Sequence, residues 1–176
     1  VINKTRKVED ATREKVLQAI SQLHYKPNIL AQSLKGKGSR TLGVIIADIR
    51  EDYFSEVVKS IEFSALEKGY SVILCDSEDN LEMEKTYINV LLSKGVDGII
   101  LAPVNLDETY LNLMKVSVPI VQIDRKFHYY RADFVGINNE HSAAVAAKYL
   151  LEKECKRIGF VGYKDKGFAQ KMRKKG

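Results

Sequence analysis

Residues 25–48 read Tyr-Lys-Pro-Asn-Ile-Leu-Ala-Gln-Ser-Leu-Lys-Gly-Lys-Gly-Ser-Arg-Thr-Leu-Gly-Val-Ile-Ile-Ala-Asp, and two kinds of sequence meet in them. Pro27 suits the first turn of a helix, because its missing N–H would have no partner there. We therefore predict a short helix over 28–34, which is marginal on its own in water. Residues 35–40 form a glycine-rich, positively charged linker after this helix. The apolar, β-branched run 41–48 is typical of a buried strand. This stretch thus joins a basic helical segment to a globular one.

Positive charge is concentrated in the first part of the chain. Residues 1–40 hold nine Lys or Arg side chains against three acids, a net charge of +6, whereas residues 41–176 hold nineteen against twenty, a net charge of −1. A segregated basic segment suggests a polyanion such as a nucleic acid as partner. A solvated surface would show the same pattern, so charge alone leaves both interpretations open.

Cysteine usage and hydropathy exclude several classes of protein. Cys75 and Cys155 lie far apart and neither belongs to a C-x-x-C motif, which fits reduced thiols in the cytoplasm and predicts no disulfide framework, metal site or cofactor. No apolar run reaches the ~18 residues of a membrane span, so we expect no membrane partner. The chain begins at Val1 rather than Met, so we expect a preceding segment.

Apolar periodicity predicts alternating strands and helices beyond residue 40. Predicted helices are 11–23, 54–68, 82–94, 107–115 and 140–152; predicted strands are 41–48, 71–76, 98–102, 119–123, 134–137 and 157–162. Gly69 and Gly95 follow two of the helices, as expected of residues that end them. Strands alternating with helices indicate the α/β class, with a doubly wound, mainly parallel sheet.

Polar residues lie at the carboxyl ends of four of these strands, namely Asp48, Asp76, Asp124 and Asn138. In open α/β sheets, ligands bind beyond the carboxyl ends of the strands. Side chains in this position can instead cap the helices that follow. For Asp124, which precedes a loop rather than a helix, we favour ligand binding.

An aromatic pair follows the first strand. Tyr53 and Phe54 could form a wall on which a ring stacks, so we group them with Asp48 and Asp124 as candidate ligand-binding residues. No G-x-S-x-G, Walker or H-E-x-x-H motif is present, and the three histidines are scattered. Nothing assembles a nucleophile with a base, so we predict a binding protein rather than an enzyme.

Several ordered motifs identify a family. Val-Ile-Asn at 1–3, Leu-His-Tyr-Lys-Pro-Asn-Ile-Leu-Ala-Gln-Ser-Leu at 23–34, Thr-Leu-Gly-Val-Ile-Ile-Ala-Asp-Ile at 41–49, Val-Asp-Gly-Ile-Ile-Leu at 96–101 and Pro-Ile-Val-Gln-Ile-Asp-Arg at 119–125 closely resemble the lactose/galactose repressor (LacI/GalR) family. The resemblance covers essentially the whole chain. It implies a helix-turn-helix DNA-binding head, a hinge helix, and a two-lobed effector domain of the periplasmic-binding-protein type.

The resemblance also divides the chain and assigns roles. It implies the end of the head at 1–24, the hinge helix and linker at 25–40, the N-terminal lobe at 41–138, and the start of an incomplete C-terminal lobe at 139–176. Arg173 matches the arginine of the family's R-x-x-G motif and would reach the effector from the second lobe. The DNA contacts that the resemblance implies fall on Asn3, Tyr25, Asn28, Ala31 and Leu34, with Leu34 as a wedge between base pairs in the minor groove.

The implied function is a cytoplasmic transcription regulator, most simply a repressor. It would act as a homodimer on operator DNA, and a small effector, a sugar or sugar phosphate with a purine as second choice, would control its affinity. A solute-binding protein of the periplasmic type shares the two-lobed fold and is the alternative. The hinge and the helix before it argue against that alternative.

Overall fold

The chain divides into two units, residues 1–39 and 40–176, of which the computed structural model describes residues 8–23, 38–162 and 167–176. In the first unit, helix α1 spans Asp10–Gln22, one residue earlier than predicted, and none of its side chains is buried. Val16 and Ile20, on one face, are half-buried, while Leu17 and Leu23 are exposed. An apolar stripe of this kind requires packing partners to be stable.

The second unit is built on a five-stranded sheet. Its strands are β1 (Thr41–Ile46), β2 (Ser71–Asp76), β3 (Gly98–Leu101), β4 (Ile120–Ile123) and β5 (Asp133–Val135). The strands lie in the order β2-β1-β3-β4-β5, and every neighbouring pair is parallel. The order reverses at β1, which creates a crevice between the carboxyl ends of β1 and β3. The predicted doubly wound, parallel sheet is therefore confirmed.

The described residues of this unit also form five helices, and local capping fixes several of their ends. They are α2 (Asp52–Glu67), α3 (Leu81–Ser93), α4 (Thr109–Leu113), α5 (Asn139–Glu152) and α6 (Phe168–Lys175). Asn80 caps α3 by accepting hydrogen bonds from the backbone N–H groups of Glu82 and Met83. Gly69 and Gly95 follow α2 and α3 with φ of 72° and 68°, which glycine adopts at little cost. Both glycines thus end the helices that the sequence predicts.

Two apolar cores cover the two faces of the sheet. On one face α2 contributes Phe54 and Val58, which pack against β1, against Ala102 after β3 and against Ile123 at the end of β4. On the other face α3 and α4 contribute Ile88, Leu91, Tyr110 and Leu111, which pack against side chains of all strands except β5. Parallel sheets are stable only when helices bury both faces, so this arrangement follows from the sheet type.

The predicted strand at 157–162 is wrong, since these residues have irregular backbone in the structure. Their β-branched and aromatic residues resemble those of a strand, but a strand is completed only by hydrogen bonds to a neighbour. Among the residues that the structure describes, no strand lies beside them. The ends of several other predicted elements shift by one or two residues, as in β1, which ends at Ile46 rather than at residue 48.

Candidate functional site

The carboxyl ends of the strands carry the candidate site, and the acid after β1 is already engaged there. The Asp48 carboxylate accepts hydrogen bonds from Nε (2.8 Å) and Nη2 (2.7 Å) of Arg50, and also from the Arg50 backbone N–H (2.8 Å). These hydrogen bonds and the positive charge of Arg50 lower the pKa of Asp48. Asp48 is therefore an ionised acceptor that a ligand would have to share with Arg50.

Asp76, at the end of β2, holds two loops together. It accepts hydrogen bonds from the backbone N–H groups of Ile49 and Glu78, both at 3.1 Å. Beside it, the buried Ser77 hydroxyl donates to the carbonyl of Ile46 at 2.8 Å. Of the four strand-end residues, Asn138 is the one that caps a helix, since it accepts a hydrogen bond from His141 N–H at the start of α5. The capping interpretation thus holds for Asn138, whereas Asp76 orders a loop.

Asp124 is the acid at this edge whose ionisation is opposed by burial. It follows β4 directly, with a φ of 60°, which is uncommon for a residue other than glycine. Burial raises the pKa of Asp124, although the positive charges of Arg125 and Arg173 act against this rise. Backbone strain and a perturbed carboxyl often coincide at binding sites.

Arg125 is the residue of this site that the sequence analysis missed. Its Nη1 lies 2.5 Å from Oδ1 of Asp79, and its Nε lies 3.6 Å from Oδ2 of Asp124. It therefore links the loop after β2 to the loop after β4. The available signal was the Asp-Arg pair in a loop, because an arginine beside a candidate carboxylate is placed to neutralise it.

Tyr53 and Phe54 do not form the predicted wall together. Phe54 is 1% exposed in the core beneath α2, so its ring cannot stack on a ligand and its assignment to the site is wrong. Tyr53 is 37% exposed and packs edge-on against Phe54, with ring centroids 5.1 Å apart. Burial raises the pKa of the Tyr53 hydroxyl, and the charge of Asp124 raises it further. Tyr53 alone thus offers an aromatic face within electrostatic reach of Asp124.

Arg173 reaches the same region from α6. Its Nε donates a hydrogen bond to Oδ1 of Asn139 at 2.7 Å, and the buried Asn139 amide in turn donates to the carbonyl of Ile137. Lys175 and Glu140, 3.0 Å apart, add a second contact between α6 and the start of α5. The structure therefore brings Tyr53, Asp124 and Arg173 together with Arg125, while Asp48 is paired with Arg50 after β1.

All the predicted DNA-contacting residues lie outside the residues that the structure describes, namely Asn3, Tyr25, Asn28, Ala31 and Leu34. Within the described ranges, no group of three or more His, Cys, Asp or Glu side chains is arranged to hold a metal ion. None of the helices in those ranges is both long and apolar enough to cross a membrane. Cys75 and Cys155 are both free thiols.

Comparison with known proteins gives two family matches along the chain. Residues 1–28 match the bacterial regulatory proteins of the lacI family, and residues 42–164 match a periplasmic binding protein domain. The HTH-type transcriptional repressor PurR of Proteus mirabilis is 35% identical over 166 residues, which are 92% of this chain and 48% of that protein. PurR of Vibrio atlanticus is 36% identical over 169 residues, 94% of this chain and 51% of that protein.

Solved structures agree with these matches. A periplasmic binding protein/LacI transcriptional regulator from Alkaliphilus metalliredigens, complexed with D-xylulofuranose, is 29% identical with a TM-score of 0.68 and covers 77% of this chain and 50% of its own. The transcription regulator CcpA of Lactococcus lactis is 26% identical, also with a TM-score of 0.68 and the same coverage. The chain spans about half the length of the curated relatives it matches.

Proposed function

Because this chain belongs to the LacI/GalR family of bacterial transcription regulators, we propose that the full-length protein is a sequence-specific DNA-binding repressor controlled by a small effector. One observation carries this proposal: a lacI-type segment at 1–28 and a periplasmic-binding-type lobe at 42–164 occur in the same chain. A solute-binding protein for transport does not need the lacI-type segment at 1–28. The net charge of +6 in residues 1–40 supports a DNA partner. The protein would act in the cytoplasm, where its operator lies, and not as an enzyme.

The effector would bind at the carboxyl edge of the sheet. Asp124 offers an acceptor for hydroxyl groups, Tyr53 offers a half-exposed aromatic face, and Arg173 offers a planar set of N–H donors. Sites with one apolar wall and a few fixed polar groups suit a sugar or a sugar phosphate. The similar regulator that was solved with D-xylulofuranose supports the sugar, and a purine that stacks on Tyr53 is the second candidate.

Asp124 and Arg173 also suggest how the effector would act. Asp124 belongs to the loop after β4, whereas Arg173 belongs to α6, beyond the lobe boundary at residue 138 that the family resemblance implies. A ligand held by both would favour the closed arrangement of the two lobes. Closure would alter the separation of the paired hinges and hence the affinity for the operator, by linkage. Asn3, Tyr25, Asn28, Ala31 and Leu34 would make the DNA contacts.

The proposed assembly is a homodimer that reads a near-palindromic operator. Helix α2 and the edge strand β2 support a dimer, because both expose large apolar side chains. Phe63 and Leu66 on α2 are 64% and 71% exposed, and Leu74 on the edge strand β2 is 41% exposed. Helix α2 packs against β2, and large apolar side chains grouped on neighbouring elements, rather than scattered singly, fit a protein interface.

Isothermal titration calorimetry of the full-length protein tests the effector site. The panel is D-xylulose, D-ribose, fructose 1-phosphate and guanine, and the variants are Asp124→Ala and Arg173→Ala. We expect one compound to bind the wild type and both variants to bind it at least about tenfold more weakly, since each loses a charged hydrogen-bonding group. Glu82→Gln, which removes an exposed carboxylate on α3, serves as the control. Wild-type affinity in both site variants would remove these residues from the site.

A further inference from the structure

The segment between β4 and β5 is unusually short for a connection between parallel strands. Parallel neighbours are normally joined by a dozen or more residues, generally including a helix. Here β4 ends at Ile123 and its parallel neighbour β5 begins at Asp133, so the nine residues 124–132 complete the connection. They form no helix or strand, yet they carry Asp124 and Arg125. Other interactions must therefore fix their conformation.

One buried side chain forms hydrogen bonds with both the middle and the end of this segment. Gln122 lies in β4 and is 0% exposed. Its Oε1 accepts a hydrogen bond from the backbone N–H of Phe127 at 2.7 Å, and its Nε2 donates to the carbonyl of Ala132 at 3.3 Å. Burying an amide is costly unless its polar groups are paired, and here both the oxygen and the nitrogen are paired with the segment.

An apolar anchor lies beside these hydrogen bonds. Phe127, 1% exposed, packs edge-on against Tyr110 (centroids 6.1 Å apart) and Tyr130 (5.8 Å). The Tyr110 hydroxyl donates a hydrogen bond to the buried Glu84 carboxylate, which also accepts one from Val104 N–H in the loop after β3. The middle of the segment is thus held in the core, while Asp124 and Arg125 remain at its edge.

We propose that Gln122 is a positioning residue for the effector. It would act without touching the ligand, by holding the 124–132 segment so that Asp124 and Arg125 occupy fixed places before binding. This inference rests on the proposed function, in which Asp124 contacts the effector. Without Gln122 the segment gains freedom that binding must remove, and each side chain ordered on binding weakens affinity.

A purely structural Gln122 predicts a different outcome. In that case an apolar replacement would change the free energy of unfolding and leave the affinity of the folded protein unaltered. Gln122→Met keeps the approximate volume but leaves Phe127 N–H and the Ala132 carbonyl without their partner. Gln122→Asn keeps an amide but is one methylene shorter, so it cannot reach both partners, and it serves if the methionine variant does not fold.

The test compares four forms of the full-length protein: wild type, Gln122→Met, Asp124→Ala, and Leu91→Ala as a control for lost stability. Leu91 packs in the core beneath β1 and makes no hydrogen bond to the segment. The ligand is the panel compound that binds the wild type most tightly. We expect Gln122→Met to weaken binding by about tenfold and to speed hydrogen exchange at Phe127 without ligand. Leu91→Ala should retain the wild-type dissociation constant.

The outcomes separate this inference from the proposal beneath it. Wild-type affinity and unchanged Phe127 exchange in the Gln122 variants, together with weakened binding by Asp124→Ala, would overturn the role of Gln122 alone. Wild-type affinity in Asp124→Ala, or no panel compound binding the wild type, would overturn the proposed site and the inference with it. An equal loss of affinity in Leu91→Ala would show that Gln122 acts through stability only, which also overturns its positioning role.

Discussion

At the scale of single residues, Glu84 is a carboxyl group that the fold buries completely. It lies on α3, is 0% exposed, and accepts hydrogen bonds from Tyr110 Oη and from Val104 N–H. Burial raises the pKa of Glu84, and this effect outweighs the two hydrogen bonds and the charge of Arg125, which lower it. The folded protein therefore holds the Glu84 proton at pH values where the unfolded chain has released it.

This difference makes stability depend on pH in a defined direction. Above about pH 4.5, the ordinary pKa of a glutamate, the folded state binds more protons than the unfolded state, so the free energy of unfolding falls as pH rises towards the raised value. Glu84→Gln removes this titration. We expect the stability of Glu84→Gln relative to wild type to increase with pH across this window, measured by urea unfolding. Glu82→Gln is the control. If the free energy of unfolding of Glu84→Gln changed with pH in parallel with that of the wild type, the prediction would be contradicted.

At the scale of elements, the packing of α3 on the sheet depends on a glycine. Gly43 lies in β1, between β2 and β3, and a Cβ there would collide with the methyl groups of Leu91 on α3. The helix approaches the strand closely because this position has no side chain.

Gly43→Ala should therefore destabilise the lobe by about 1–3 kcal/mol through overpacking. Leu91→Ala alone should cost about 2–5 kcal/mol, because it leaves a cavity. The double variant should cost less than the sum, since the new methyl group then occupies part of that cavity. Denaturant unfolding of the three variants measures the coupling. Additive effects would show that the two positions do not share one packing site.

Periodicity predicts the elements themselves well, because each signal is local. The alternation of strands and helices and the ends at Gly69 and Gly95 follow from residues within a few positions of one another, and the parallel pairing follows in turn from that alternation. The same periodicity places Phe54 on the buried stripe of α2, in conflict with its prediction as a ligand wall, and burial in the core prevails. A residue on the core stripe of its own helix is therefore more readily explained by packing than by ligand binding.

The interactions that hold the candidate site in place are less predictable, because they join residues that are distant in the sequence. Gln122 lies in an apolar run whose pattern indicates only a core strand, and its partners are five and ten residues away in a segment without regular structure. Arg125 pairs with Asp79, 46 residues earlier, across two loops. Neither partnership leaves a local pattern in the sequence. Strand-end position is sufficient to propose Asp124 as a candidate, but not to find what holds it.

At the scale of the whole molecule, the proposed function requires the chain to bind two partners of different charge. Residues 1–40 carry a net charge of +6, whereas the rest carries −1. A phosphate backbone would interact with the first part through ion pairs that release counterions. A small sugar would interact with the second through hydrogen bonds and stacking, which salt screens much less. Ionic strength should therefore separate the two activities in the full-length protein.

The last prediction concerns this salt dependence. We expect operator affinity, measured by fluorescence anisotropy, to fall at least about a thousandfold between about 50 and 200 mM salt, as for about six phosphate contacts. The affinity for a neutral sugar effector should change little over the same range. Leu34→Ala, which replaces the proposed apolar wedge, should weaken operator binding by about a few kcal/mol at every salt concentration. Because Leu34 is uncharged, its replacement should leave the slope of log affinity against log salt unaltered. Salt-independent operator binding would contradict the phosphate contacts, whereas normal operator binding by Leu34→Ala would contradict the wedge alone.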